Sequence, residues 1–193
     1  SLFPSAALAA FSFTEIMYDA PGTDAKHEWV EVLNSGAATD MSAYTFFENG
    51  TNHGLTLYAG SGVVSAGGYA VITDDAATFL LDFPSFSGTL FDSVFSLSNA
   101  GESVSLKSGD GAVVAEATYS GTDGATGDGA TLNLLSGVWA ARTPSPGADA
   151  AFDQPSATTT SENAAPTSTP VVESVAFGSP PPPTLSVDAG KDR

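Results

Sequence analysis

Two histidines, His27 and His53, are the only imidazoles in the chain, and there is no cysteine. The lack of cysteine excludes disulfides, thiolate zinc sites and cysteine nucleophiles. Each histidine lies in a polar segment with neighbours such as Gly, Asn, Asp or Lys, which predicts solvated loop positions. A zinc site of three histidines is excluded, and one of two histidines and a carboxylate needs both segments to converge.

Glu28 and Glu31 are the best-placed pair of carboxylates for acid–base chemistry. Alternation along a strand puts Trp29 and Glu31 on one face and Glu28 on the other, with no nucleophile beside either. No Gly-x-Ser-x-Gly elbow is present. We therefore expect no catalytic site: Trp29 packs at the edge of a β-sandwich, and Glu31 accepts hydrogen bonds from backbone or hydroxyl groups.

Acidic residues in turn-rich segments raise a calcium hypothesis, for which Asp123 and Asp128 are the best candidates. Their segment, 123–129, is rich in glycine, and carboxylate and carbonyl oxygens are the ligands that Ca²⁺ takes. The segment lacks the glutamate that closes an EF-hand loop. Two interpretations stay open, a calcium-binding loop and a solvated Asp-Gly loop, and no other cofactor is predicted.

The charge balance limits the partners of the chain. Of 193 residues, 22 are acidic and 5 are basic, so the net charge is −17. Phosphate backbones and anionic lipid surfaces attract basic proteins, so nucleic acid is excluded as a partner. No apolar run approaches the roughly 20 residues that span a bilayer, which argues against direct membrane insertion. Either a salt-rich habitat or calcium binding would account for the acidity.

Short runs of strand-forming residues, separated by Gly, Asn and Asp clusters, predict an all-β fold. The eight predicted strands are 11–18, 28–34, 43–48, 55–58, 69–73, 103–107, 112–119 and 130–135. Asp110-Gly111 between two alternating runs predicts a β-hairpin over 103–119. The segment 75–81 within the irregular stretch 74–92 predicts a helical turn or two, capped by an aspartate.

Composition divides the chain into four parts. Residues 1–10 resemble the end of a secretory signal, with an Ala-rich disordered start as the alternative. Residues 11–149 form the predicted β-sandwich. Residues 150–183 are rich in Pro, Ser and Thr, which predicts a disordered linker. Residues 184–193 again alternate between apolar and polar residues, as in a strand, and resemble the first strand of a further β domain. This strand is similar to the start of the immunoglobulin-like repeat first named from polycystic kidney disease protein.

The order of motifs resembles the lamin tail domain family over roughly residues 11–149. Each motif is short, but the motifs occur in the same order as in the family. The motifs are the segments 14–18, 28–34, 41–46, 66–73, 97–106 and 110–114, followed by Trp139 and the segment 143–148. The segment Phe47-Glu48-Asn49-Gly50 departs from the strongly apolar pattern of the family.

The resemblance implies an immunoglobulin-like β-sandwich without catalytic activity and, as in bacterial members, a secreted or cell-surface multidomain protein. Its expected work is structural, through association with other protein domains or cell-surface components. The alternative is an accessory binding domain of a secreted hydrolase, such as a nuclease or phosphatase, whose catalytic domain lies outside this chain. Aromatic side chains dominate interface hot spots, so we expect the surface that contacts a partner to contain aromatic residues. The alternative for these residues is that they pack in the core. The candidates are Tyr44, Phe46 and Trp139, with Phe47 and Tyr58 beside them.

Overall fold

The computed structural model describes residues 10–148. The predicted signal remnant (apart from Ala10), the linker 150–183 and the final segment 184–193 lie outside the described residues.

Thirteen strands in these residues form three sheets. The strands are β1 (Phe11–Met17), β2 (Trp29–Asn34), β3 (Thr39–Asp40), β4 (Thr45–Glu48), β5 (Thr51–Gly54), β6 (Thr56–Ala59), β7 (Val63–Val64), β8 (Gly68–Thr73), β9 (Thr89–Asp92), β10 (Gly101–Lys107), β11 (Val113–Ser120), β12 (Thr131–Leu135) and β13 (Val138–Arg142). The large sheet has the order β13-β12-β1-β2-β8-β9-β6, and the small sheet has the order β11-β10-β4-β5. β3 and β7 form a separate pair.

Side-chain alternation places the main core. In β1, Phe11 and Phe13 are buried and Ser12 between them is exposed. Phe13 of the large sheet meets Phe46 of the small sheet edge to face, with 6.3 Å between ring centroids. The predicted all-β, immunoglobulin-like β-sandwich is confirmed, as are the eight predicted strands, whose ends differ from the observed ends by two residues at most. The predicted hairpin is also confirmed, since β10 and β11 pair antiparallel.

A short helix, α1 (Ala76–Asp82), connects β8 to β9. Asp75 caps it by accepting a hydrogen bond from the Thr78 amide, so the predicted capped helical turn is confirmed. The two connected strands pair in parallel, which needs a crossover of this kind.

The helix covers a second hydrophobic cluster on the outer face of the large sheet. Trp29 is 1% exposed there, and its ring meets those of Phe79 and Phe83 edge to face at 5.7 and 5.5 Å. The expectation that Trp29 packs at an edge of the sandwich is therefore wrong: it lies on β2, inside the large sheet and beneath α1.

Candidate functional site

Two buried glutamates on neighbouring strands hold a later segment of the chain. Glu15 of β1 and Glu31 of β2 are direct partners in the strand register, and each is 1% exposed. Glu15 accepts hydrogen bonds from the amide and hydroxyl of Ser145 at 3.0 and 3.2 Å. Glu31 accepts from the Gly147 amide at 2.5 Å and the Thr14 hydroxyl at 2.7 Å. Together the two carboxylates fix the segment that follows β13 against the large sheet.

The environment of Glu15 raises the pKa of its carboxyl group above the ordinary value. Burial raises its pKa, and hydrogen bonds from Thr131, Ser145 and Asn133 offset part of the rise. The prediction that Glu31 accepts backbone and hydroxyl hydrogen bonds is confirmed. These contacts make both glutamates structural, because their oxygens are engaged by protein donors.

Glu28 precedes β2 and is 2% exposed. Its Oε2 accepts a hydrogen bond from the Leu97 amide at 2.9 Å. Burial raises its pKa to about 8, the Leu97 bond opposes the rise, and the negative charges of Asp24, Asp74 and Glu102 add to it. The carboxyl group is therefore mostly protonated at neutral pH.

Asp74 belongs to the same acidic neighbourhood. Burial raises its pKa to about 6, although the amides of Lys26 and Glu28 donate hydrogen bonds to it. Its Oδ1 is buried without a hydrogen-bond partner. Sequence reasoning missed this neighbourhood, because Leu97 and Asp74 reach Glu28 only through tertiary folding.

The two histidines lie beside separate carboxylates. His27 is a loop residue whose Nδ1 lies 2.6 Å from Asp82 Oδ2, at the end of α1. The expectation of a solvated loop is wrong for His53, which lies in β5, has a side chain 15% exposed, and places Nε2 3.0 Å from Oε1 of Glu48. Within residues 10–148, no three His, Asp or Glu side chains are grouped as a metal site.

The calcium candidates Asp123 and Asp128 lie near one another around Tyr18. Asp123 is the last residue of a 3₁₀ turn (Gly121–Asp123) that Ser120 caps, and it completes the capping box by accepting from the Ser120 amide at 2.9 Å. Asp128 accepts from the Ala130 amide at 3.0 Å. Burial, and then the charges of Asp19, Asp123 and Asp128, raise the pKa of Tyr18. Both candidates thus already hold backbone amides of their own loops.

The aromatic candidates fall into different environments. Phe46 is fully buried and packs 4.7 Å from Phe95 between ring centroids, so it offers no surface to a partner and the contact-patch expectation is wrong for it. Tyr44 is half-buried against Phe11. Trp139 is half-buried, packs on the main core and donates from Nε1 to the Thr118 carbonyl at 2.8 Å.

Three exposed apolar side chains lie on and shortly after the edge strand β6 of the large sheet. Leu57 and Tyr58 of the edge strand β6 are 42% and 51% exposed, and Val63 of the following strand β7 is 47% exposed. The register of β6 on β9 shifts between Leu57 and Ala59, so Tyr58 is the extra residue of a bulge. We call these three residues the β6 patch.

The family model described as Lamin Tail Domain matches residues 4–121, more than half of the chain. No curated protein and no solved structure gives a significant match. The family match ends before β12, yet β12 pairs directly with β1 within the large sheet. No helix in residues 10–148 has the length and apolar character to cross a membrane.

Proposed function

The chain belongs to the lamin tail domain family, and from that premise we propose that it is a non-catalytic interaction module of a secreted or cell-surface multidomain protein. The match supports an interaction domain of the immunoglobulin-like kind. Its work is association with another protein, and the β6 patch is the proposed contact.

The β6 patch is the observation that carries the proposal. Large apolar side chains next to one another on a surface mark interaction sites more often than scattered ones do. Leu57 and Tyr58 are sequence neighbours, and Val63 follows five residues later. A tyrosine supplies a large, stiff contact area at a low cost in side-chain entropy.

The bulge at Tyr58 decides how a partner would bind. A bulge interrupts the regular row of backbone donors and acceptors along an edge strand, which protects the edge against addition of another strand. Contact through the side chains of the β6 patch is therefore favoured over extension of the sheet.

The net charge of −17 supports the choice of partner. A protein partner with a basic rim around an apolar centre complements the patch and the negative charge of the chain, because opposite charge steers association. A polyanionic partner is repelled.

Site-specific photo-crosslinking tests the proposal. A crosslinking amino acid replaces Tyr58 in the full chain, and the matched control places it at Val138, which is 67% exposed on β13 at the opposite edge. The protein is applied to the surface of intact source cells. We expect one protein to be crosslinked at position 58. Excess unlabelled wild-type chain should abolish this crosslink by competition, whereas excess Leu57→Ser/Tyr58→Ser variant should not.

Equal crosslinking at both positions, or competition by the double variant, would contradict the patch as the contact. The cellular location is tested separately by protease treatment of intact cells. Degradation of the chain without lysis is expected, and protection until lysis would overturn the surface or secreted location.

A further inference from the structure

The turn between β4 and β5 carries the only Asn-Gly pair of the sequence, Asn49-Gly50. Glu48 and Thr51 are register partners, so these two residues alone form the turn. Asn49 has a φ of 44° and Gly50 a φ of 80°. A two-residue hairpin turn of type I′ requires positive φ at both positions, which explains why this dipeptide is found here.

The turn is open to solvent and held on one side only. Asn49 and Gly50 are both exposed. Apart from the chain neighbours of Gly50, no atom of the described residues comes within 4 Å of the position that a Cβ would take on it. The outer strand of the hairpin, β5, lies at the edge of the small sheet and pairs only with β4. Edge elements with exposed backbone hydrogen bonds open locally at a small cost in free energy.

We propose that Asn49 is a site of spontaneous, non-enzymatic modification through a cyclic imide formed with Gly50. The Gly50 nitrogen loses its proton to solvent and bonds to Cγ of Asn49, while the Cγ–Nδ2 bond breaks and Nδ2 takes up a proton and leaves as ammonia. Water then adds to one of the two carbonyl carbons of the five-membered ring and breaks the bond from that carbon to the Gly50 nitrogen. Opening at Cγ leaves an aspartate at position 49, and opening at the main-chain carbonyl leaves an isoaspartate. Neither step is an oxidation or a reduction.

The other asparagines among residues 10–148 lack one of the two conditions, exposure and a following glycine. Asn34 and Asn133 are 0% and 1% exposed. Asn52 and Asn99 are exposed, but a histidine and an alanine follow them. A Cβ on the following residue crowds its backbone nitrogen and restricts its backbone, whereas glycine does neither. Asn49 is therefore the asparagine at which the ring should close fastest.

The isoaspartate product should loosen β5. Its backbone runs through the side-chain carbon and is one atom longer, so the turn no longer matches the register that pairs Glu48 with Thr51. β10 holds β4 on its other side, whereas β5 has no second neighbour within the small sheet. The loss of order therefore falls on β5. Each conversion also adds one negative charge to a chain whose net charge is already −17.

The test is incubation of the folded full chain at pH 8 for several weeks, followed by peptide mass spectrometry. Exchange of ammonia for water should raise the mass at Asn49 by about 1 Da. An isoaspartyl methyltransferase, used as a reagent, should label the same peptide. Asn52 and Asn99 are internal controls and should convert about tenfold more slowly or less, because the residues after them carry a Cβ. The same chain unfolded in urea is the positive control for the chemistry.

Gly50→Asp adds a Cβ beside the backbone nitrogen and keeps a residue type that tolerates positive φ, so it should slow the conversion about tenfold. Hydrogen exchange in β5 should be faster in the isoaspartate form than in the unconverted chain, with β11 as the unchanged reference. Equal exchange in β5 of both forms would overturn the loosening. No conversion of the folded chain while the unfolded chain converts, equal conversion at Asn52, or an unchanged rate in Gly50→Asp would each overturn the modification site, and the first two need no variant to fold.

Discussion

Replacing Glu28 by glutamine is expected to remove the loss of stability that ionisation of Glu28 causes between about pH 5 and pH 8. The Glu28 pKa is raised from 4.5 to about 8 in the folded state. Below pH 4.5 the carboxyl group is protonated in both states and favours neither. Above it, the unfolded chain loses the proton while the folded protein keeps it, so the free energy of unfolding falls as pH rises.

The size of the effect follows from the width of that window. The free energy changes by about 1.4 kcal/mol per pH unit while only one state holds the proton. Between pH 4.5 and pH 7 the wild type should lose about 3 kcal/mol through Glu28, and the loss is complete at about pH 8. Glutamine stays neutral and can still accept the bond from the Leu97 amide.

The assay is urea unfolding, followed by tryptophan fluorescence, at several pH values from 4.5 to 8.5. Asp74 and Glu15 also have raised pKa values and act in the same direction, so the difference between wild type and Glu28→Gln isolates Glu28. Glu116→Gln is the matched control, because Glu116 is exposed on β11. Parallel curves for wild type and Glu28→Gln across this range would refute the assignment of a raised pKa to Glu28.

Three further outcomes are expected. Asp75→Ala removes the cap of α1 and should lower the free energy of unfolding by about 1 kcal/mol in urea titrations, whereas no change would mean the cap is not formed. Glu31→Gln weakens the hold on the Gly147 amide, so hydrogen exchange there should speed up about tenfold while exchange in β10 stays unchanged. Asp123 and Asp128 already hold backbone amides, so Ca²⁺ and monovalent salt of equal ionic strength should raise the melting temperature equally. A rise specific to Ca²⁺ that Asp123→Asn abolishes would instead establish the calcium loop.

The sequence predicted the elements whose signals are local. Alternation marked β1 and β10, the Asp-Gly turn marked the β10–β11 hairpin, and Asp75 marked the start of α1. These signals act within a few residues, so neighbouring residues suffice to detect them.

Five strands were missed, namely β3, β5, β7, β9 and β13, and most of them lack a local pattern of their own. β3 and β7 have two residues each, too few to show any period. β5 is Thr-Asn-His-Gly, a polar run that resembles a loop until it pairs with β4. β9 follows α1 and forms a parallel pair with β8, which no short-range pattern specifies. The burial of His53 was missed for the same reason as β5.

The buried glutamates show why the candidate site could be predicted only in part. Glu31 was expected to accept hydrogen bonds, but its Gly147 donor lies 116 residues away in the chain. The role of Glu28 depends on Leu97, 69 residues away. The residue types predicted acceptors, whereas their donors follow only from the tertiary structure.

These long-range bonds also bear on how the module can present its β6 patch. The segment 143–148 follows β13 at one edge of the large sheet, yet Glu15 and Glu31 hold it at the central strands β1 and β2. Three strand spacings separate β2 from β6, or about 14 Å at roughly 4.8 Å per strand. A contact at the β6 edge therefore lies three strands from Glu31, so we expect a partner to occupy the patch without displacing Ser145 or Gly147. If the proposed contact is correct, Glu31→Gln should loosen the held segment and leave crosslinking at position 58 unchanged.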